Sequence, residues 1–319
     1  MVELTAEDRR AASLLGALVA DAASLGLHWI YAVDRIAQVA DAVGSAAFVP
    51  IDPAHFDGVP AYFAHGTRAD GDLTQYGEML WLAIRALGAN GGAFDREGVQ
   101  AAFTCTFGPG GSYAGYIDRP TRGALDNIAR EQVDPSGVDD DQLPAVARLP
   151  ALVAGAQAPV PVDLVGQMIR ITNVNAVAEA HGLVFVRLLE DVIGAAAMGD
   201  ALARAAQNAP DGIRTVLEAA LDTSENDSVA YGEITQRACH LPMGMPLAFH
   251  IMARSSSFAE AVERNIRAGG DSAGRAIVIG SVMAALTGQG GIPLDWVLKL
   301  RCAQSLWSDC RDLVRAGAA

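Results

Sequence analysis

The segment Gly269-Gly270-Asp271-Ser272 places a carboxylate directly behind two glycines and ahead of the apolar run 272–287. Paired glycines permit a sharp turn and a close approach of backbone to a ligand. A helix N-terminus offers free N–H groups and the positive end of its dipole to an anion. Asp271 is therefore a candidate general base or cation ligand, and equally a helix cap, since Asp is favoured there. Asp139, Asp140 and Asp141 gather three carboxylates in one turn, a pattern that suits a divalent cation or acid–base work and also a solvated capping loop. Asp21 sits in a helix that is otherwise apolar, where a carboxylate must be hydrogen-bonded or neutral. It either ties down a loop or faces a pocket. Between Tyr113 and Arg122 the chain collects Tyr113, Tyr116, Asp118, Arg119, Thr121 and Arg122. Tyrosine rings stack on a sugar or base, and arginine grips phosphate with two prongs. His28 closes the first helix, and Cys239-His240 is a weak nucleophile pair because no Ser or Asp partner follows from spacing.

The elements that must position these groups are helices. Hydrophobic residues make up 51% of the 319-residue chain and aromatics only 6%, so small aliphatic side chains dominate, and Ala is the best helix former. Thr5 to Asp8 reads as a capping box opening a helix to about Gly26. That helix is apolar on nearly every face, which places it at the centre of the fold. Residues 48–73, rich in Pro, Gly, Asp and His, form a long loop of the kind that carries function or moves. Thr74 caps the helix 75–87, and Asp95 caps a short one. Helical patterns follow to about Arg130, then at 142–154, 162–171, 174–198, 200–208 and 212–221. A helix capped by Ser257 runs to Gly269-Gly270, 272–287 resumes with Gly280 at a packing position, and the last helix starts near Pro293. Pro242 to Pro246 reads as a break. No convincing strand, repeat or linker occurs, so the expectation is one all-α domain over 1–319, a compact orthogonal multi-helix bundle.

The formal charge of -14, from 37 acidic and 23 basic residues, and the single lysine, Lys299, leave no basic cluster for a polyanion. Nucleic acid is excluded as a partner. The apolar stretches look too short to span a bilayer, which needs about 20 residues, and the first ten residues do not read as a signal peptide. Four cysteines without a CxxC spacing read as reduced, mostly buried thiols. A cytoplasmic protein with no membrane partner is expected.

Three motifs fall into one order: Gly16-Ala-Leu-Val-Ala-Asp21-Ala-Ala-Ser-Leu-Gly26, Thr74 heading an apolar helix with Met79, and Gly269-Gly270-Asp271-Ser272 followed by Gly280. The chain resembles the ADP-ribosylglycohydrolase family, in its divergent branch related to jellyfish J1 crystallin. The resemblance implies an all-α fold with a cleft that holds two Mg²⁺ or Mn²⁺ ions and cleaves the N- or O-glycosidic bond of ADP-ribose. It implies metal ligands in a Thr-Asp-Asp at one helix head, an Asp-x-Asp-Thr after the paired glycines, and a Glu after the first helix. Here Thr74 is kept but is followed by Gln75 and Tyr76. Asp271 and Ser272 are kept but are followed by Ala273 and Gly274, and His28 falls about where the Glu belongs. Hard cations want oxygen ligands, so this loss should abolish a two-ion centre and leave at most one ion on Asp271, with Asp118 or the Asp139–Asp141 run. The resemblance implies a ligand pocket of polar residues: His28, Thr74, Gln75, Tyr76, Glu78, Tyr116, Arg122, Asn265, Gly269, Gly270, Ser272 and Arg275. A water-activating carboxylate is then expected among Asp271, Asp118, Asp139 and Asp140. The expected function is hydrolysis, or related lyase-like cleavage, of a glycosidic bond in a ribosyl or ADP-ribosyl compound, with the family's Mg²⁺ or Mn²⁺ altered or absent. The alternatives are a non-catalytic ADP-ribose or nucleotide binder and a crystallin-like structural protein.

Overall fold

A computed structural model describes residues 4–318. The described residues form sixteen α-helices and no strand, with only isolated bridges such as Ile30 to Ala61. The first half holds α1 (Ala6–Ser24), α2 (Val33–Val43), α3 (Gln75–Ala89), α4 (Arg96–Phe107), α5 (Arg119–Ala129), α6 (Leu149–Gly155), α7 (Val162–Ile169) and α8 (Ala176–Ile193). The second holds α9 (Met198–Gln207), α10 (Asp211–Asp222), α11 (Ser228–Ile234), α12 (Leu241–Ala253), α13 (Phe258–Arg267), α14 (Ser272–Thr287), α15 (Leu294–Lys299) and α16 (Ala303–Ala318).

Helix α1 opens on the expected box: Asp8 N–H donates to Thr5 Oγ1 at 3.1 Å and Thr5 N–H donates to Asp8 at 3.0 Å. Every residue from Ala11 to Ser24 is buried. The helical run Ala6–Leu27, 22 residues long, is apolar enough to cross a membrane by length and composition, contrary to the expectation that no stretch reaches that length. It is almost wholly buried among other helices, as a core helix is. Its closest partner is α14. A Cβ on Gly16 would sit 2.2 Å from Ala284 Cβ, and one on Gly280 would sit 2.5 Å from the Gly16 carbonyl oxygen. Glycine at both positions lets the two backbones touch, so larger side chains would separate the pair of helices that carries the core.

Several elements depart from the expectations. Helix α2, unforeseen, buries only Ile36 and Ala40 and ends on Gly44 in the left-handed region. The Pro242–Pro246 stretch is not a break but the start of α12. Pro242 occupies the first turn, where no N–H is needed, while Pro246 lies inside a helix whose Gly244 to Met252 are all buried. Packing overrides propensity there. The run 174–198 is cut after Ile193 by Gly194 and by Ala195 at φ 66. The segment 142–154 starts as a 3₁₀ turn (Leu143–Val146) before α6, and the last helix is α16, not one starting near Pro293. Among the cysteines only Cys310 is buried, while Cys105 and Cys302 are exposed.

Candidate functional site

Three helix heads, those of α3, α5 and α14, and one loop build the site. At the head of α3, Thr74 caps by accepting from Tyr76 N–H at 3.0 Å. Its own N–H and Oγ1 donate to the two oxygens of Asp21 at 2.7 and 2.5 Å. Asp21 is fully buried, and burial pushes its carboxyl up to about 7 against the opposing pull of the Thr74 hydrogen bonds. The choice left open for Asp21 resolves in favour of tying down the head of α3. Gln75 faces the next helix: its Nε2 donates to Thr121 Oγ1 at 2.9 Å, and its Oε1 accepts from Asp118 N–H at 2.6 Å. Asp118 caps α5 through Oδ1, which accepts from Thr121 N–H at 2.8 Å. Its Oδ2 is buried without a partner, and burial raises its pKa.

At the head of α14, Gly269 and Gly270 adopt φ 77 and 64, the left-handed region that favours glycine. A Cβ on Gly270 would lie 2.1 Å from the Arg237 carbonyl oxygen. The turn is stitched to the end of α1 by Trp29 N–H to Gly270 O at 2.9 Å and Gly270 N–H to Ile30 O at 2.8 Å. From below, Asn265 Nδ2 donates to Ser272 O at 2.7 Å, and Arg275 donates to Asn265 Oδ1 at 2.9 Å and to Gly269 O at 2.6 Å. Both side chains are fully buried, so they shape the turn that presents Asp271. Burial pushes the Arg275 guanidinium down to about 10, and its Nη1 has no partner.

Asp271 is buried, and its Oδ1 is doubly used, accepting from Gly274 N–H at 2.9 Å and meeting His28 Nε2 at 3.0 Å. Its Oδ2 has no partner. His28 Nδ1 in turn lies 2.7 Å from His65 Nε2, so Asp271, His28 and His65 form a hydrogen-bonded chain inside the protein. Burial, the His28 charge and Arg68 hold His65 well below the usual histidine value. Sequence reasoning missed His65. Its signal was its place in the long loop 48–73, the one segment singled out as functional by length.

Tyr76 is buried beside both carboxylates: burial first, then the charges of Asp271 and Asp118, raise its phenol. Cys239 is half-buried, and burial and the Asp271 charge push its thiol up, so it stands as a neutral donor. Tyr31 Oη lies 3.8 Å from that sulfur. The Trp29 ring stacks on His28 at 4.2 Å and meets Tyr116 edge-on at 5.1 Å. Arg122, exposed, reaches over Tyr116 at 5.9 Å and donates to the Ile117 carbonyl.

Other expected residues lie apart from this cluster. Asp139 is exposed and holds Asn175 at 2.7 Å. Asp140 is buried, but its oxygens are occupied by Arg119 at 2.7 Å, Gln142 N–H at 3.0 Å and Asn173 at 3.3 Å. Asp141 pairs with His240 at 2.5 Å. The three carboxylates therefore diverge, which corrects the reading of Asp139 and Asp140 as water activators, and His240 is spent on Asp141 and does not serve Cys239. Glu78 pairs with Arg68 at 3.0 Å and braces the loop.

The donor set does not fit the two ions of the family. The Thr74 hydroxyl is spent on Asp21, Gln75 bonds at both ends, Tyr76 is a neutral phenol, and Ala273 and Gly274 bring no side-chain oxygen. Among the described residues no group of three or more His, Cys, Asp or Glu is arranged to hold a metal.

The described residues thus form an all-α bundle in which carboxylates at two helix heads accompany one buried phenol and one histidine chain. The chain belongs to the ADP-ribosylglycohydrolase family, whose model matches residues 3–319. It is 28% identical to Crystallin J1A of Tripedalia cystophora over 310 residues, 92% of each chain, and 25% identical to Crystallin J1B over 308 residues, 91% of each. A solved ADP-ribosylglycohydrolase-related protein complex shares the fold with a TM-score of 0.74 at 19% identity, covering 98% of this chain and 99% of that one.

Proposed function

We propose that the protein hydrolyses a glycosidic bond of a ribosyl or ADP-ribosyl compound with two of its own carboxylates, Asp271 and Asp118, in place of the family's pair of ions. One observation carries the reading: each of these residues has one oxygen fixed as a helix cap and the other buried and unpaired, which no purely structural role requires. Hydrolysis at an anomeric carbon uses such a pair, one protonated and one ionised. Asp118, raised by burial, is suited to protonate the leaving oxygen or nitrogen as its bond to the anomeric carbon breaks. Asp271, held by His28 and Gly274, is suited to take a proton from the water that attacks that carbon. Tyr76 and Tyr116 supply hydroxyl and ring contacts to the sugar.

The second reading is a non-catalytic ADP-ribose binder or a crystallin-like structural protein, and only the structural half of it matches the names of the two crystallin relatives. One experiment separates them. Protein stripped with EDTA is incubated with peptides carrying ADP-ribosyl-serine or ADP-ribosyl-arginine, and free ADP-ribose is measured, with thermal shift in ADP-ribose run alongside. Release that survives EDTA and is lost in Asp271→Asn and Asp118→Asn supports the protein-only centre, and release that returns only with Mg²⁺ or Mn²⁺ sinks it. A thermal shift without release supports the binder. The absence of both leaves the structural role.

A further inference from the structure

His65 belongs to no expected binding set, yet its surroundings are built with care. Its Nε2 is committed to His28 Nδ1 at 2.7 Å, and its ring lies nearly parallel to those of His28 and Trp29, 5.0 and 6.1 Å away. The ring is only 3% exposed, and Nδ1, on the edge turned away from His28, is buried with no partner. A buried polar atom left unpaired destabilises the fold that holds it, so a native fold keeps one chiefly where something else completes it. What could complete it follows from the chain of protons. With His28 neutral, its Nε2 donates to Asp271, its Nδ1 accepts from His65 Nε2–H, and His65 Nδ1 is a bare acceptor. With His28 protonated, both its nitrogens donate, His65 Nε2 accepts, and His65 Nδ1–H is a donor. A carboxylate or a carbonyl serves only the second state and an ammonium only the first. A hydroxyl serves both, because it donates and accepts.

We propose that His65 Nδ1 is a ligand-contacting atom that hydrogen-bonds a hydroxyl group of the bound ligand, with the Asp271–His28 pair fixing its ring. The inference rests on the ribosyl reading above, since a ribose is the hydroxyl-bearing part of that ligand class. It also explains why the loop 48–73 is held down: Arg68, three residues on, bonds Leu73 O at 3.1 Å and Glu78 at 3.0 Å, so the loop that carries His65 is anchored to the head of α3.

The test uses ADP-ribose as the probe, by calorimetry and by ¹⁵N NMR of the histidines. Saturating ADP-ribose is expected to move the His65 Nδ1 resonance and leave in place that of His181, which bonds Val177 O within its own helix α8. His65→Gln keeps an amide facing His28 and has nothing at the Nδ1 position, so it should weaken ADP-ribose about tenfold while the circular dichroism stays unchanged. An analogue lacking the contacted ribose hydroxyl, sought among the 2- and 3-deoxy forms of the terminal ribose, should bind the native protein about tenfold more weakly and His65→Gln no more weakly than ADP-ribose itself. Tight ADP-ribose binding with an unmoved His65 resonance overturns the inference and leaves the ribosyl reading intact. So does equal binding by both deoxy analogues. No ADP-ribose binding by the native protein overturns both. If His65→Gln fails to fold, the resonance and the two analogues on native protein still decide.

Discussion

The heads of α3 and α14 begin alike and end differently. Each starts on a residue whose side chain accepts from its own first turn, and each involves a fully buried aspartate. At α3 the cap itself is closed: Asp21 receives Thr74 twice, and Gln75 is bonded at both ends. At α14 the circle is left open, because Asp271 Oδ2, Ser272 Oγ and Arg275 Nη1 have no partner. Completed hydrogen bonding marks a joint of the fold, and deliberate incompleteness marks a place that receives something else. One element can therefore serve as frame and its near-copy as site within the same core.

Breaking the open head should hurt chemistry. Asp271→Asn retains a good capping residue yet replaces the carboxyl by an amide that cannot take up a proton, so release of ADP-ribose should fall about a hundredfold or more, while the melting temperature moves by only a few degrees. A variant within about tenfold of native turnover erases the functional half of the contrast. Breaking the closed head should hurt the fold. Asp21→Ala strands the buried Thr74 N–H and hydroxyl, at roughly 3 kcal/mol together, measured by urea unfolding. A loss below about 1 kcal/mol would show that Asp21 is no joint.

Asp21 and His65 should also answer pH with opposite sign. The folded carboxyl of Asp21, pushed up to about 7, lies above the 3.8 of an ordinary Asp. Its contribution is therefore full below 3.8 and is lost as pH rises towards 7. His65, held below the 6.5 of an ordinary histidine, contributes fully above 6.5, and that stability is lost as pH falls beneath it, by up to about 1.4 kcal/mol per pH unit. Between pH 4 and 6.5 the two slopes oppose each other, so urea midpoints should fall more steeply with rising pH in His65→Gln and climb with rising pH in Asp21→Asn. A slope unchanged by either substitution refutes the burial of that group. The smallest effect belongs to Asp139→Asn: the residue is exposed and its side chain bonds Asn175 alone, so stability should stay within about 0.5 kcal/mol and turnover within about twofold. A larger loss of turnover would return the acidic run to the site.

Local signals were legible. Thr5, Thr74, Asp95, Ser257 and Asp271 all cap the helices that their positions suggest, because a cap bonds within its own first turn. The glycine step at Gly280 and the core placement of α1 were legible too, since an all-round apolar helix has only one place to go. Helix α12 was not, because Pro246 argues against it locally and only burial on every side outweighs that argument. The relay was not legible either. His28 and His65 are 37 positions apart, and His28 and Asp271 are 243, and no spacing rule spans such separations.

By itself the sequence determined which residues start helices, which helix lies at the centre and which family oxygens are missing from positions 75, 76, 273 and 274. The tertiary structure alone decided which carboxylates are satisfied. Asp21, Asp118, Asp140 and Asp271 are the same residue type, all buried, and the arrival of Thr74, Asn173 and Arg119 from elsewhere in the chain separates the two that are closed from the two that keep an oxygen free. Hydrogen-bond satisfaction is a property of pairs, and the pairs exist only once the helices have met.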